Sequence, residues 1–167
     1  MALSTATRDG KPSARMVLLK GIDDRGFIFH TNYHSRKGTE LAENPHAAMV
    51  LYWPALDRQV RITGRVSKLT AVESDAYFVT RPAESRLSAV ASPQSTVIES
   101  RAVLEQKLAE VKARYPGAAP PRPKHWGGYL VRPDEIEFWQ QGQHRLHDRL
   151  RYLRRRDGPW KLERLAP

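Results

Sequence analysis

The chain has 167 residues, enough to bury the core of one domain, and 40% of them are hydrophobic, which excludes a disordered segment. It contains no cysteine, which excludes disulfides, thiolate chemistry and cysteine-ligated metal centres. Lysine and arginine number 28 against 18 acidic residues, a net charge of +10 that favours anionic partners: nucleic acid, a membrane surface or phosphorylated small molecules.

The first half of the chain has the pattern of β-strands. An Asp9-Gly10 turn between two apolar runs predicts a hairpin, and a short helix begins at Ser35 and stops at Pro45. The last strand of this half alternates apolar and polar residues, the period of a half-buried strand. The predicted strands are Leu3–Thr7, Ala14–Lys20, Phe27–Asn32, Ala47–Trp53 and Gln59–Leu69.

The middle of the chain changes to helical patterns. Ala71–Thr80 is predicted to be a helix that ends at Arg81-Pro82, Ser85–Ala91 is ambiguous, and Ile98–Tyr115 has the longest helical spacing of apolar residues. A proline-rich loop covers 116–128, after which strands return. These strands are Tyr129–Val131, Glu135–Gln140, Gln143–Arg154 and Trp160–Leu165, with Asp157-Gly158 as a hairpin turn.

Many strands with few helices predict a mainly β fold with helices (α+β). Because consecutive strands are joined by tight turns, a β-barrel decorated by helices is favoured over an open α/β sheet.

Two cations stand at the start of the helix that begins at Ser35. Arg36 and Lys37 lie at the positive end of the helix dipole, where cations are mildly unfavourable by themselves. A bound anion removes the conflict, because backbone N–H groups and both side chains can converge on a phosphate. The alternative is a solvated helix start with poorly placed charges, and the sequence leaves both open.

A row of cations follows Gln143 in the segment QHRLHDRLR. On a strand, Arg145, His147, Arg149 and Arg151 would project from one face and repel one another. The row therefore predicts an anionic counterpart, such as a phosphorylated or carboxylated ligand. The alternatives are a basic surface strand and a strand that binds nucleic acid.

Hydroxyl and guanidinium groups recur at a spacing of four in Tyr77, Arg81 and Ser85. Pro82 opposes a continuous helix, so a helix end followed by a turn is predicted. Together the three side chains form a possible phosphate cradle, although singly such residues are more often on a helix surface.

Two further groups of residues give weaker signals. Gln59, Gln94 and Ser95 are neutral hydrogen-bonding residues that stand beside apolar sequence. A bound ligand with a polar ring system would need such hydrogen-bonding partners. The second half of the chain contains the aromatic residues Trp126, Phe138 and Trp139. Their simplest interpretation is packing in the core, and one of the rings could also contact the face of a planar cofactor.

Several familiar signals are missing from the sequence. There is no G-x-G-x-x-G after a strand, no Walker A loop and no G-x-S-x-G elbow. His144 and His147 are surrounded by arginines that would repel a cation, so no metal site is expected.

No apolar run approaches the roughly 18 residues of a membrane span, and the start lacks a signal peptide's apolar core. We therefore expect a soluble, cytoplasmic protein with no membrane partner.

Eight motifs occur in order along the chain: RMVLLKG, TNYHSRKG, RQVRITGRV, YFVTRPAES, PQS, WGGYLVRPDEIEFWQ, HRLHDR and WKLERLAP. With these motifs the chain strongly resembles the pyridoxamine 5'-phosphate oxidase family from about Thr5 to Pro167. The resemblance implies one FMN-binding split β-barrel domain over residues 1–167, with a dimerisation and substrate region from about 125 onward. It also implies a homodimer with FMN at the subunit interface.

The resemblance further implies the reaction. Pyridoxamine 5'-phosphate or pyridoxine 5'-phosphate would be oxidised to pyridoxal 5'-phosphate by hydride transfer from C4' to flavin N5. Molecular oxygen would reoxidise the flavin and yield hydrogen peroxide. Such cofactors carry the hard chemical step, while the protein orients the reactants.

Matching the motifs position by position, the resemblance implies three groups of site residues. Arg145 and His147 would form the catalytic pair against the substrate ring, with Arg145 aligning the substrate and stabilising developing charge. The substrate phosphate would be held by Lys20, Tyr77, Arg81 and Ser85. The FMN residues would be Arg15, Met16, Val17, Leu18, Leu19, Lys20, His30, Thr31, Arg36, Lys37, Gln59, Gln94, Ser95, Trp139 and Arg149.

The chain departs from the family pattern in two places. Members of the family usually have some tens of residues before the position where this sequence starts, and part of that segment covers the substrate. A truncated sequence and a sequence that lacks the covering segment are the two alternatives, and both stay open. His30 stands where an aromatic such as tyrosine is common, which affects FMN affinity if the ring makes the contact. The basic residues Arg151 and Arg154–Arg156 have no assigned role.

Two other hypotheses compete with the oxidase. One is a split-barrel flavoprotein that acts on another substrate, such as a phenazine precursor, and the phosphate cradle argues against it. The other is a basic module that binds nucleic acid or stores pyridoxal phosphate. Aromatic residues are not interleaved with the basic ones as stacking platforms, so we expect no nucleic-acid partner.

Overall fold

The computed structural model describes residues 1–156 and 158–167. The strands are β1 (Ala2–Ala6), β2 (Pro12–Met16), β3 (Gly21–Asp23), β4 (Gly26–Asn32), β5 (His46–Trp53), β6 (Arg58–Lys68), β7 (Trp126–Gln140), β8 (Asp148–Leu153) and β9 (Lys161–Arg164). The α-helices are α1 (Arg36–Glu43), α2 (Ala71–Val79), α3 (Ala83–Ala91) and α4 (Arg101–Arg114). None of the helices in this described part is long and apolar enough to cross a membrane.

The strands form one sheet in the order β2-β1-β5-β6-β7-β4-β3, and β8 and β9 extend it from β7. Strands β8 and β9 pair antiparallel. Neighbouring strands also pair antiparallel where a tight turn joins them, as in β1–β2 and β3–β4. This connectivity follows from the short turns read in the sequence, because antiparallel strands can be joined by a few residues and parallel strands cannot.

The chain divides into two compact units. The first covers residues 1–29, 40–67 and 130–167 and contains most of the sheet. Alternation along its strands turns one face inward, so that β1 buries Leu3 and Thr5 between half-exposed neighbours. The other fully buried apolar side chains of this unit are Phe29, Met49, Ile62 and Val131.

The second unit covers residues 30–39 and 68–129 and is mostly helical. Thr70 and Glu73 form a reciprocal capping box that begins α2. The helix ends before Pro82, which lacks a backbone donor and disfavours helical geometry in the residue before it. Leu87 and Ala91 of α3 pack with Val111 of α4 in one small core.

Most predicted elements are confirmed, with shifted ends. The hairpin, the helix after Ser35 and the helix before Pro82 are present, and the ambiguous segment Ser85–Ala91 belongs to α3. Strand β2 ends at Met16 rather than Lys20, and α4 begins at Arg101 rather than Ile98. The predicted turn at Asp157-Gly158 includes a residue outside the described ranges.

Two predicted strand boundaries at the carboxyl end are wrong. Tyr129–Val131 and Glu135–Gln140 are both strand, as predicted, but they belong to one strand, β7, which continues through Pro133 without the predicted break. The Pro133 carbonyl accepts a hydrogen bond of 2.7 Å from Nε of Arg154. The second error concerns Gln143–Arg154, of which only Asp148–Leu153 is a strand.

Residues 143–145 form a single 3-10 turn instead. His144 and Arg145 have φ values of 52° and 65°, a left-handed conformation that cannot continue a strand. The predicted row of four cations on one strand face is therefore wrong for Arg145 and His147. Only Arg149 and Arg151 share a face of β8.

Candidate active site

Lys37 is buried in the first turn of α1, within the second unit. Its Nζ donates to Oγ1 of Thr31 at 3.1 Å, to Oγ of Ser35 at 3.2 Å and to Oε1 of Gln94 at 3.2 Å. Thr31 in turn donates to Gln94 at 3.1 Å. These three partners are uncharged oxygen acceptors. The predicted FMN residues Thr31, Lys37 and Gln94 thus meet in one cluster.

The local sequence explains why the chain folds tightly before α1. A Cβ on Gly38 would lie 2.1 Å from the Tyr33 carbonyl oxygen, so only glycine permits this approach. The Ser35 hydroxyl donates to the Asn32 carbonyl at 2.7 Å, and the Asn32 side chain accepts from the His34 amide at 2.8 Å. Arg36 is exposed on the first turn of the helix. The SRKG motif therefore places one buried and one exposed cation at a helix start.

A second cluster of the second unit is aromatic. The His30 ring stacks on Tyr77 at 3.9 Å between centroids and lies 5.4 Å from Trp126, and all three rings are nearly parallel. Gly128 makes room for this arrangement: a Cβ there would lie 2.5 Å from Cδ1 of Leu69 and 2.9 Å from Nε2 of His30. The glycines after Trp126 are thus required by close packing.

Arg81 lies against this cluster, in the turn between α2 and α3. Its guanidinium carbon is 4.5 Å from the centroid of the Trp126 ring. Nη1 is buried and has no hydrogen-bond partner among the residues that the structure describes. Burial lowers the pKa of Arg81, and the neighbouring Tyr77 partly offsets that shift. Such a desolvated cation with an unused donor is suited to bind an anion.

The first unit contains a buried carboxylate between two arginines. Glu137 of β7 accepts from Nε of Arg149 at 2.8 Å and from Nη2 of Arg149 at 3.1 Å, and it also pairs with Arg61 of β6. Burial alone would raise the pKa of Glu137, but hydrogen bonds from Arg149 and Arg61 hold it below its usual value. Nη1 of Arg149 donates to the Ala166 carbonyl at 2.9 Å, which fixes the guanidinium further.

A groove of about 470 Å³ opens on the first unit. The predicted FMN residues Gln59 and Trp139 both line it, together with largely apolar side chains. These apolar neighbours include Trp53, Leu56, Val60, Phe138 and Leu150. The remaining lining residues are polar or charged: Arg58, Gln140, Asp148 and Arg164. A groove with apolar walls and a few polar groups has the chemistry expected of a site for a planar, polar-edged ring.

The two predicted catalytic residues lie at and just after the end of the 3-10 turn: Arg145 is its last residue, and His147 follows two residues later. Arg145 is exposed and has positive φ, a strained conformation for a non-glycine residue. The half-buried His147 ring lies 4.8 Å from Trp139, and its Nδ1 accepts from the Gly142 amide at 3.2 Å. Because an amide N–H can only donate, the neutral ring carries its proton on Nε2. His147 can therefore donate through Nε2.

Arg15, predicted at the flavin phosphate, faces inward in the first unit. Its guanidinium donates to the Leu3 carbonyl, to the hydroxyls of Thr5 and Ser13, and to the buried Glu40 at 3.3 Å. Phosphate contact by Arg15 stays a prediction, and it would require these bonds to be exchanged. Of the residues that follow, Met16, Leu18 and Lys20 are exposed, whereas Val17 and Leu19 are half-buried.

Sequence reasoning missed three polar members of these clusters. Ser35 is fully buried beside Lys37, Glu137 holds Arg149, and Arg61 pairs with the same Glu137 carboxylate. Their signal was strand periodicity: Arg61 follows Gln59 by two residues and Glu137 precedes Trp139 by two, so each pair shares a face. Ser85 is half-buried in the first turn of α3, and Ser95 has a φ of 71°.

Comparison with known protein families covers nearly the whole chain. Residues 1–115 match the model described as pyridoxamine 5'-phosphate oxidase. Residues 126–167 match the model described as the pyridoxine 5'-phosphate oxidase C-terminal dimerisation region.

Two similar relatives are named pyridoxine/pyridoxamine 5'-phosphate oxidase. The protein of Salinibacter ruber is 62% identical over 100% of this chain and 79% of its own length. The protein of Nostoc punctiforme is 60% identical over 100% of this chain and 78% of its own length.

Two solved structures have the same fold. PhzG from Burkholderia lata, determined with tetrahydrophenazine-1-carboxylic acid, superimposes with a TM-score of 0.93 at 41% identity, over 99% of this chain and 81% of its own. A pyridoxamine 5'-phosphate oxidase-related, FMN-binding protein of Nostoc punctiforme superimposes with a TM-score of 0.78 at 18% identity, over 99% of this chain and 86% of its own. The predicted fold class is thereby confirmed as that of the FMN-binding split barrel.

Proposed function

The chain belongs to the pyridoxamine 5'-phosphate oxidase family, and on that premise we propose how its residues divide between flavin and substrate. The protein is an FMN-dependent oxidase that converts pyridoxamine 5'-phosphate and pyridoxine 5'-phosphate to pyridoxal 5'-phosphate. It carries the family's C-terminal dimerisation region. Homodimerisation with FMN at the subunit interface, and reoxidation by molecular oxygen, are parts of the proposal.

The Lys37 cluster is the observation that carries the flavin assignment. Its ammonium is buried at the start of a helix and donates to oxygens of Thr31, Ser35 and Gln94, with the exposed Arg36 beside it in sequence. A helix start with two cations is a chemically suited site for a phosphate, because N–H groups and ammonium converge there. We assign Thr31, Arg36, Lys37, Gln94 and Ser95 to the FMN phosphate end, with Arg15 as a further candidate.

The groove of the first unit supports a site for the flavin ring. The amide of Gln59 can hydrogen-bond a polar ring edge, and the Trp139 indole offers a flat apolar wall. Arg149 is fixed by Glu137 and the Ala166 carbonyl, and Arg149 and Arg61 together leave one positive charge in excess around the Glu137 carboxylate. The backbone and side chains of Met16–Lys20 and the ring of His30 complete the proposed set.

Arg81 is the residue best suited to the substrate phosphate. Its buried Nη1 lacks a partner in the described ranges, and a phosphate oxygen would satisfy that donor. Tyr77 and Ser85 offer hydroxyls, and Lys20 offers an exposed ammonium. A dianionic phosphate fits this set of donors better than a neutral substituent does.

Arg145 and His147 are assigned to the substrate ring. Bound FMN supplies the acceptor for the hydride that leaves C4' of the substrate. The Arg145 guanidinium orients the substrate and stabilises charge that develops in the transition state. His147 donates a hydrogen bond through Nε2, since its Nδ1 is held by the Gly142 amide. Neither residue is required to act as a strong base, because hydride transfer has no obligatory one.

A visible spectrum tests the proposal. The purified protein reconstituted with FMN should show the absorbance bands of bound flavin, which should bleach on anaerobic addition of pyridoxamine 5'-phosphate. Pyridoxal 5'-phosphate should form as the bands bleach, and admission of air should restore the bands with formation of hydrogen peroxide. A protein that retains no flavin after gel filtration, or whose flavin is not bleached, would contradict the assignment.

The likeness to PhzG suggests a second substrate class to compare. That protein was solved with a tetrahydrophenazine carboxylic acid, which bears no phosphate. Turnover of pyridoxine 5'-phosphate should greatly exceed turnover of unphosphorylated pyridoxine and of a dihydrophenazine carboxylate. The reverse order would favour the phenazine type of activity.

A further inference from the structure

Arg81 lies against aromatic rings, and its buried Nη1 has no hydrogen-bond partner among the residues that the structure describes. Its guanidinium carbon lies 4.5 Å from the Trp126 ring centroid and 5.6 Å from that of Phe78. A carboxylate in this position would neutralise the cation and occupy its donors. An aromatic face attracts the same cation through the electrons of its ring and leaves the N–H groups available.

Trp126 is itself rigidly anchored. Only 7% of its surface is exposed, and its ring packs edge-on against Phe78 at 5.1 Å. Its backbone carbonyl accepts from Nη1 of Arg122 at 2.7 Å, while Nε of Arg122 is bound to Asp75 on α2. The indole plane is thus fixed to the helix that leads into Arg81.

From this geometry we propose that Trp126 is a positioning residue for the substrate phosphate, acting through Arg81. The indole holds the desolvated guanidinium so that its unused N–H groups face the anion. Trp126 also lies beside Tyr77, the second proposed phosphate ligand, at 6.2 Å between nearly parallel rings. This inference rests on the proposed role of Arg81 in binding the substrate phosphate.

A double-mutant cycle on the FMN-loaded enzyme tests the inference. The variants are Trp126→Leu, Arg81→Ala and the combination, and KM and kcat for pyridoxine 5'-phosphate are measured in each. Trp126→Leu should raise KM about tenfold, the equivalent of one cation–π contact in a desolvated site, with a smaller change in kcat. In the Arg81→Ala background the same change should leave KM nearly unaltered.

Trp160→Leu is a matched control. Trp160 carries an equivalent contact, with the Arg154 guanidinium 4.6 Å from its ring, but Arg154 donates to the Pro133 carbonyl and has no part in the proposed site. This variant should leave KM for pyridoxine 5'-phosphate unchanged. Trp126→Phe keeps an aromatic face, so it should retain the fold and show an intermediate KM; if Trp126→Leu fails to fold, the cycle is run with Trp126→Phe.

The outcomes separate this inference from the proposed function. If Arg81→Ala leaves KM unchanged, the assignment of the substrate phosphate is wrong. If Arg81→Ala raises KM but the Trp126 substitution raises it by the same factor with and without Arg81, the tryptophan does not act through Arg81. An unchanged KM in Trp126→Leu would equally overturn the inference. Inhibition by inorganic phosphate gives a second readout and should weaken in parallel with KM.

Discussion

Arg149 donates two hydrogen bonds to Glu137, from Nε at 2.8 Å and from Nη2 at 3.1 Å, in the side-by-side geometry of a bidentate pair. The carboxylate is 4% exposed, and Arg61 provides its second cation. Two arginines around one carboxylate leave a net positive charge on the face that carries Gln59 and Trp139. The position of Glu137 therefore determines where this net positive charge lies.

Glu137→Gln should destabilise the protein. The substitution keeps the shape of the side chain but removes the charge that both guanidiniums face, and a lost hydrogen bond between charged groups costs about 2 kcal/mol. Urea unfolding of the FMN-free protein measures this loss. Glu163→Gln is the control, because Glu163 pairs with Arg151 and Lys161 at the surface, where screening by water makes the loss smaller. Equal losses in the two variants would contradict the structural role of Glu137.

The Glu137 pair also predicts a dependence of stability on pH. Because the pKa of Glu137 is lower in the folded than in the unfolded state, its contribution is complete above the unfolded value of about 4.5. The contribution is lost as the pH falls through the lowered folded pKa. The free-energy difference between wild type and Glu137→Gln should therefore be constant from pH 7 to pH 5 and shrink below that. A difference that grows on acidification would contradict the sign of the shift.

The fold was largely predictable because it depends on local signals. Short signals mark where strands and helices begin or end: the turn at Asp9-Gly10, the helix cap at Thr70, and Pro82. Each of these signals depends on the conformation of only one or two residues. The start of β8 was not predictable in this way. Basic residues at positions 145, 147, 149 and 151 alternate with Leu146, Asp148 and Leu150 as in a strand, and nothing in that alternation reveals the positive φ of His144 and Arg145.

The site was predictable in residue types and less so in contacts. Motif positions identified Lys37, Gln94 and Thr31, and these side chains meet in the structure. The partners that hold the cations were missed, because pairing between strands depends on register. Glu137 reaches Arg149 only because β7 and β8 pair with Trp139 opposite Arg149, which places Glu137 on the diagonal.

Lys37→Met should weaken FMN binding. Methionine keeps the length of the side chain, fits a buried position and removes the ammonium. Loss of a charged partner of a phosphate costs roughly 1.5–3 kcal/mol, so the FMN dissociation constant should rise about tenfold or more. Fluorescence titration of the apoprotein with FMN measures it. Lys107→Met, on the exposed surface of α4, should leave the constant unchanged; an equal change in both would remove Lys37 from the flavin site.

Arg81→Ala should separate substrate from cofactor. We expect KM for pyridoxine 5'-phosphate to rise about tenfold or more, because one charged hydrogen-bond partner of the phosphate is lost. The FMN dissociation constant should change little. Parallel steady-state kinetics and flavin titration give both numbers from one preparation. An equal loss of affinity for the two ligands would mean that the two phosphate sites are wrongly divided.

Gly128→Ala tests whether the aromatic cluster depends on close packing. The added Cβ would lie 2.5 Å from Leu69 and 2.9 Å from the His30 ring, so His30 must move away from Tyr77 or the backbone must shift. Overpacking of this kind costs about 1–3 kcal/mol, which thermal unfolding detects. Gly21→Ala is the control, since its Cβ would meet Ile28 at an ordinary 3.6 Å.

Because Tyr77 is a proposed phosphate ligand, KM should rise in Gly128→Ala and not in Gly21→Ala. A destabilised Gly128→Ala enzyme with an unaltered KM would show that the stack supports the fold without shaping the phosphate site.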